Sequence, residues 1–290
     1  MQYINPLPFD LAPPRVSFEF FPPKNDEMEK QLWNCIQRLA PLNPEFVSVT
    51  YGAGGTTRER THATVEKILR ETTLTPAAHL TCVGQSRGEI DDIARRYWTG
   101  GVRHIVALRG DGHQPAADGY QDAAELVSGL VKIAPFDITV AAYAETHPLA
   151  ESPIADLENL KRKLDAGGGS ASAITNYFFD NNKFLRFRDL CAAAGITAPI
   201  IPGIMPVTNY NQIVKFSAVS GVKIPPWLAR FFDGVEDVVE TRRMIAVAVA
   251  SEQVRHLQAN GVDQFHFYTL NRPELTFSLC HILGIKPVSA

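Results

Sequence analysis

The sequence predicts an α/β fold, a single (β/α)8 TIM barrel. Three observations predict it: eight apolar runs of strand length, a segment of helical periodicity after each run, and a length of 290 residues, which suits one large barrel. Runs of this kind belong to strands buried on both faces, as in parallel sheets covered by crossover helices.

In chain order the runs are Val16 to Phe21, Phe46 to Tyr51, Ala77 to Val83, His104 to Leu108, Ile138 to Tyr143, Ala173 to Phe179, Ile200 to Ile204 and Gln264 to Leu270. The clearest helix boundary has Ser86 as N-cap with Glu89 three residues on, a capping-box spacing, and Gly100 and Gly101 placed to stop the helix after Trp98. Gly167 and Gly195 end other helices in the same way. The stretch from Lys223 to Ala259 is long for one crossover, so the Pro225-Pro226 pair predicts a short helix or turn before a main helix around Val238 to Gln258. Residues 1–14 read as a Pro-rich arm and 15–290 as the barrel. An open doubly wound sheet has a similar pattern; the count of eight favours closure.

Composition excludes several function classes. With 45% hydrophobic and 20% charged residues the chain can bury a sizeable core, and a net charge of -3 from interspersed acids and bases offers neither a nucleic-acid stripe nor a polybasic membrane patch. Cys35, Cys82, Cys191 and Cys280 form no CxxC pair and read as reduced thiols. The first fifteen residues hold four prolines and Asp10 rather than the apolar stretch of a signal peptide, and no run of about 18 apolar residues follows, which predicts a soluble cytoplasmic protein with a small-molecule ligand.

In a barrel the reactive groups gather at the C-terminal ends of the strands. Polar residues there are Glu19, Thr50, His79, Arg109, Asp111, Tyr143, Glu145, His147, Asn176, Asn271 and Arg272. Glu19 is an acid inside an otherwise apolar run: a solvated carboxylate in an open sheet, or, in a barrel, a buried one whose raised pKa suits a general acid. Leu-Arg-Gly-Asp at 108–111 is either a surface turn with an Arg/Asp pair or a site where Arg109 binds an anion and Asp111 accepts ligand N–H groups. In DLENLKRKLDAGG, Asp156, Asn159, Arg162 and Lys163 share one arc of about 120° and Leu157, Leu160 and Leu164 another. That polar face is either solvated or built for a phosphate. Gly52 to Gly55 and Gly167 to Gly169 lack the GxGxxG spacing, and the eight histidines form neither HxH nor HExxH, so no metal is assigned.

Six strings in order, SFEFFPPK (17–24), FVSVTYGAGG (46–55), HLTC (79–82), HIVALRGD (104–111), NLKRKLDAG (159–167) and FHFYTLNR (265–272), together resemble the bacterial methylenetetrahydrofolate reductases from Arg15 to the C-terminus. The resemblance implies a (β/α)8 barrel with FAD at its C-terminal mouth, NADH or NADPH as hydride donor, a tetrahydrofolate one-carbon derivative as substrate, a homo-oligomer, and a place in the one-carbon metabolism that leads to methionine. It matches Glu19 to the general acid and Asp111 to an acid contacting both the pterin and the flavin. Thr50, His79, Arg109, Gly110, Tyr143, His147, Asp156, Asn159, Arg162 and Lys163 match FAD-contacting positions; Gln212, Phe216 and Arg272 match positions that meet folate or nicotinamide. Asn176 stands where the family usually has Gln. The implied cycle is ping-pong: reduced nicotinamide gives hydride to flavin and leaves, then Glu19 protonates N10 of methylenetetrahydrofolate so that an N5-iminium accepts the hydride. Rivals are a folate-dependent methyltransferase, a flavin-dependent amine or proline dehydrogenase, and a folate- or flavin-binding protein without catalysis.

Overall fold

A computed structural model describes residues 11–51, 58–111 and 114–288. Most of the expected N-terminal arm and the Gly52 to Gly55 stretch lie outside the described residues. The strands are β1 (Arg15–Phe20), β2 (Val47–Val49), β3 (Pro76–Thr81), β4 (His104–Leu108), β5 (Asp137–Ala142), β6 (Ala171–Tyr177), β7 (Ile200–Ile204) and β8 (Gln264–Tyr268). Each pairs in parallel with the next, and β8 pairs with β1, so the sheet closes into a barrel. The open-sheet alternative is thereby excluded.

Around it run α1 (Asp26–Leu39), α2 (Arg58–Glu71), α3 (Arg87–Thr99), α4 (Ala123–Ile133), α5 (Pro153–Gly167), α6 (Asn181–Ala193), α7 (Tyr210–Ser220), α8 (Pro226–Phe232), α9 (Val239–Ala259) and α10 (Pro273–Ile282). The capping box at Ser86 and Glu89 forms as the spacing predicts, with both reciprocal bonds present. Pro226 opens α8, the short helix expected in the long seventh crossover. Strand β8 stops two residues before the expected Leu270, because Leu270 and Asn271 adopt positive φ values of 51° and 54° that leave the extended region.

The pleat sorts side chains into two cores. Val16, Phe18, Phe20, Leu80, Ile105, Val140, Phe265 and Phe267 are buried in one large apolar cluster with residues of the surrounding helices. Phe18 and Phe267 are register partners across the closing seam, and their rings stack at 6.3 Å between centroids. Burying each such ring contributes about 1.5–3 kcal/mol. The alternate positions face the barrel axis: Phe46, Ala77, Val106, Ile174 and Ile201 form a small apolar plug, accompanied by Ser17, Glu19, His79, His104, Thr139 and His266. No described helix is long and apolar enough to cross a membrane.

Candidate functional site

Alternation along β1 carries Ser17 and Glu19 to the same inward face, and the matching alternation in β8 carries His266 and Tyr268 there. Glu19 Oε2 lies 3.5 Å from His79 Nε2 on β3 and 3.6 Å from His266 Nε2, with the Glu19 side chain only 13% exposed. Both contacts are longer than a full hydrogen bond, and neither Nε2 has another partner among the described residues. His266, fully buried, shares a 2.8 Å hydrogen bond between Nδ1 and Ser17 Oγ, and its ring stacks on Phe46 at 5.8 Å. Thr269 Oγ1 donates to the Glu19 carbonyl at 2.6 Å, fixing the strand end.

Burial, the largest single influence on the Glu19 carboxyl, raises its pKa, as the sequence suggests. The imidazoles of His266 and His79 that face it together outweigh that influence and hold the group down at about 2. The expectation of a raised value is therefore reversed: Glu19 rests as an anion between two imidazole edges. Deeper in the barrel, burial first and the neighbouring His266 and His79 second push His104 down to about 4, and its Nε2 meets Thr139 Oγ1 at 2.8 Å.

The remaining positions lie at strand ends and in the segments that follow them. Thr50 is buried, and its carbonyl accepts from Thr61 Oγ1 at 2.8 Å. The Arg109 carbonyl accepts from the Cys82 and Val83 amides at 3.1 Å each, which leaves the exposed Arg109 side chain at the mouth. Gly110 has φ +93°, and a Cβ there would stand 2.6 Å from Val83 Cγ2, so both conformation and space demand glycine. Asp111 is exposed. Burial, helped by Asp111 and Asp156, pushes the Tyr143 hydroxyl up to about 12, keeping it a donor, and its ring meets His147 edge-on at 4.6 Å.

On α5 the four polar residues share a face without pointing to one place. Lys163 turns inward and donates to the Ala141 carbonyl at 2.5 Å; burial lowers its pKa to about 8. Asp156 Oδ2 accepts the His147 amide at 2.8 Å. Arg162 stays exposed, paired with Asp122 at 2.8 Å and donating to Asn159 Oδ1 at 3.1 Å. A uniformly solvated face does not describe this helix, since Lys163 is partly buried against β5.

Asn176 lies where the β6–β7 register shifts, and its Oδ1 accepts the Tyr177 amide at 2.8 Å, so half of its amide is used locally. Gln212 sits in the first turn of α7 and Phe216 on its exposed side, 39% accessible. Arg272 caps the start of α10 and donates to Thr208 Oγ1 at 3.2 Å. Asn271, also in the sequence survey, is structural: its amide donates to the Phe21 carbonyl at 2.9 Å and accepts the Phe21 amide at 3.0 Å, clasping β1 to β8. His266 and Ser17 are not among the positions expected from the sequence. Their signal was a polar residue at every second position of VSFEF and FHFY, the mark of an inward polar row. No group of three His, Cys, Asp or Glu among the described residues is arranged to hold a metal ion.

Comparison with known proteins agrees with the sequence strings. A family model described as methylenetetrahydrofolate reductase matches residues 10–284. The chain is 52% identical over 274 residues to 5,10-methylenetetrahydrofolate reductase of Escherichia coli (strain K12), covering 94% of this chain and 91% of that protein. It is 46% identical over 269 residues to the protein of the same name from Buchnera aphidicola subsp. Acyrthosiphon pisum (strain APS), covering 93% and 91%. A solved structure from Clostridium thermocellum, described as binding two copies of 5-methyl-5,6,7,8-tetrahydrofolic acid, shares the fold with a TM-score of 0.67 at 14% identity, over 93% of each chain. With relatives of this identity matched along nearly the whole length of both partners, the chain belongs to the methylenetetrahydrofolate reductase family.

Proposed function

We propose that this chain is an FAD-dependent oxidoreductase that interconverts 5,10-methylenetetrahydrofolate and 5-methyltetrahydrofolate with NADH or NADPH, the nicotinamide and the folate taking turns in one pocket by a ping-pong cycle. The observation that carries the reading is the Glu19 carboxylate set between the partnerless Nε2 atoms of His79 and His266 at the barrel mouth. Such a cluster is built to hold and hand on a proton.

The donor set around it fits FAD. Arg109, Arg162 and Lys163 are cations suited to a pyrophosphate, Tyr143 keeps its hydroxyl proton, and Asp156, Asn159, Thr50, His79, Gly110 and His147 complete the candidate binding positions. Bound FAD supplies the capacity to take up a hydride and release it. The protein's own task is the proton. Glu19 delivers it to N10 of the folate, the bond from N10 to the one-carbon unit breaks, and the iminium left at N5 is the hydride acceptor. The two Nε2 atoms that face Glu19 orient its carboxyl for that transfer, and the Ser17 hydroxyl on Nδ1 of His266 holds one of these rings in place. Asp111 holds the pterin; Gln212, Phe216, Arg272 and Asn176 take the folate and the nicotinamide in turn.

The reading places the enzyme in the cytoplasm as a homo-oligomer, for which the exposed Trp227, Phe231 and Met244 offer apolar contact surface. The test is anaerobic: the purified protein is expected to be yellow, to bleach with NADH or NADPH, and to regain its colour on addition of methylenetetrahydrofolate. A protein that carries FAD but is not reoxidised by the folate would overturn the assignment.

A further inference from the structure

The loop between β5 and α5 carries Tyr143 and His147, and between them Glu145 reaches to α6 and to the segment after α7. That side chain is only 11% exposed, and Oε2 lies 3.0 Å from Lys183 Nζ in the first turn of α6. The same oxygen accepts the backbone N–H of Lys223, just past the end of α7, at 3.3 Å. Oε1 is buried with no hydrogen-bond partner among the described residues, so the Lys183 ammonium balances this carboxylate and the Lys223 backbone N–H anchors it. One side chain thus ties together the segments that follow β5, β6 and β7.

Three neighbouring features stiffen the joint. Thr146 is held at φ 105°, a left-handed conformation that a β-branched residue keeps only when its surroundings enforce it. Pro148 packs against Gly221 at the C-cap of α7, where φ is +73° and a Cβ would stand 2.7 Å from Pro148 Cγ. From β6, the Tyr177 hydroxyl meets Ser217 Oγ and Ser220 Oγ at 3.1 Å each. The C-terminal end of α7 is therefore held both from β6 and from the β5–α5 loop, while the half-buried Gln212 and the exposed Phe216 lie on the same helix.

We propose that Glu145 is a positioning residue that sets the spacing between the cofactor loop and the substrate helix, so that nicotinamide and folate are held at one distance from the cofactor. The proposal rests on the assignment of FAD to the loop and of both substrates to α7 made above. Glu145 touches no reacting atom, and its loss acts on binding more than on chemistry.

Glu145→Gln keeps the length and the acceptor for Lys223 and removes the charge that Lys183 balances. The expected result is a rise of about tenfold in KM for both the nicotinamide and the folate, with kcat within about twofold and FAD retained. Lys183→Met should move both KM values in the same direction, and the double variant should be no worse than Glu145→Gln alone, since one joint is broken either way. Amide hydrogen exchange in residues 143–152 and 210–220 should accelerate together in each variant, a readout independent of turnover. An active parent whose variants keep parental KM values, or lose only kcat or only thermal stability, overturns the proposal, as does unchanged exchange in either segment. Should Glu145→Gln fail to fold, Lys183→Met decides by the same criteria. A parent that is itself inactive with folate, yet shows linked exchange, condemns the functional assignment and leaves the mechanical joint standing.

Discussion

Each candidate side chain draws its chemistry from its immediate contacts. Glu19 is an anion because two imidazoles face it, yet its proposed task is to give a proton to folate, which confines its role to one half of the cycle. Glu19→Gln should keep FAD and leave reduction by NADH within about threefold, while the folate half-reaction falls by about 10² to 10⁴. Rapid-mixing measurement of the two halves separates them, and equal loss in both would contradict the role. Asn176 is a different case, since its Oδ1 is engaged by the Tyr177 amide and only its NH₂ remains for a ligand. A glutamine there reaches roughly 1.5 Å further. Asn176→Gln is expected to change the folate and nicotinamide KM values by about two- to tenfold, the worth of one neutral hydrogen bond. Kinetics indistinguishable from the parent in both directions would mark the substitution as neutral.

At the scale of elements, α5 shows how a helix face divides between folding and ligand. Leu160 and Leu164 are buried, Lys163 reaches the end of β5, and Arg162 remains outside with Asp122. An exposed ion pair such as Arg162 with Asp122 contributes at most about 1 kcal/mol to stability, whereas a charge-assisted bond to a phosphate is worth about 1.5–3 kcal/mol. Replacing both Arg162 and Lys163 by Ala should therefore lower FAD retention after dialysis well beyond any shift in the thermal midpoint. Full occupancy would show that these cations serve only the protein. The shared arc of α5 was legible in its periodicity; that Lys163 is the inward cation was not, because it depends on where β5 presents the Ala141 carbonyl. His266 was hidden for a related reason, since its partners Glu19 and Ser17 lie some 250 positions away in sequence.

The whole molecule buries titratable groups in a closed barrel, and its stability should follow pH accordingly. Burial pushes His104 and His62 down to about 4 from an ordinary 6.5, with Arg96 and Arg58 assisting at His62. The unfolded chain takes up those protons near 6.5 and the native chain only near 4, so stability is lost as pH falls through that window. Glu19, held at about 2 from 4.5, adds stability that is complete above 4.5 and is lost as pH falls toward 2. The urea midpoint should thus decline in two successive stages on acidification. His104→Gln should make the first stage shallower, leaving the His62 share, and Glu19→Gln should flatten the second; urea midpoints parallel to the parent's across the pH range would contradict both assignments.

The order and kind of the elements follow from local sequence patterning. Strand runs, the Ser86 capping box, the Pro226 helix start and the glycine stops are properties of a few adjacent residues, and 2.0- or 3.6-residue periodicity reports them directly. Motif strings added the family and with it a list of candidate positions. The pairing of β8 with β1 bears out the closure that eight runs predicted, whereas the anionic Glu19 and the reach of Glu145 across three crossovers come from the folded arrangement alone. Each of these depends on distances between residues remote in the chain, and electrostatic interactions fall off over a few ångströms of space, which local sequence patterning does not encode.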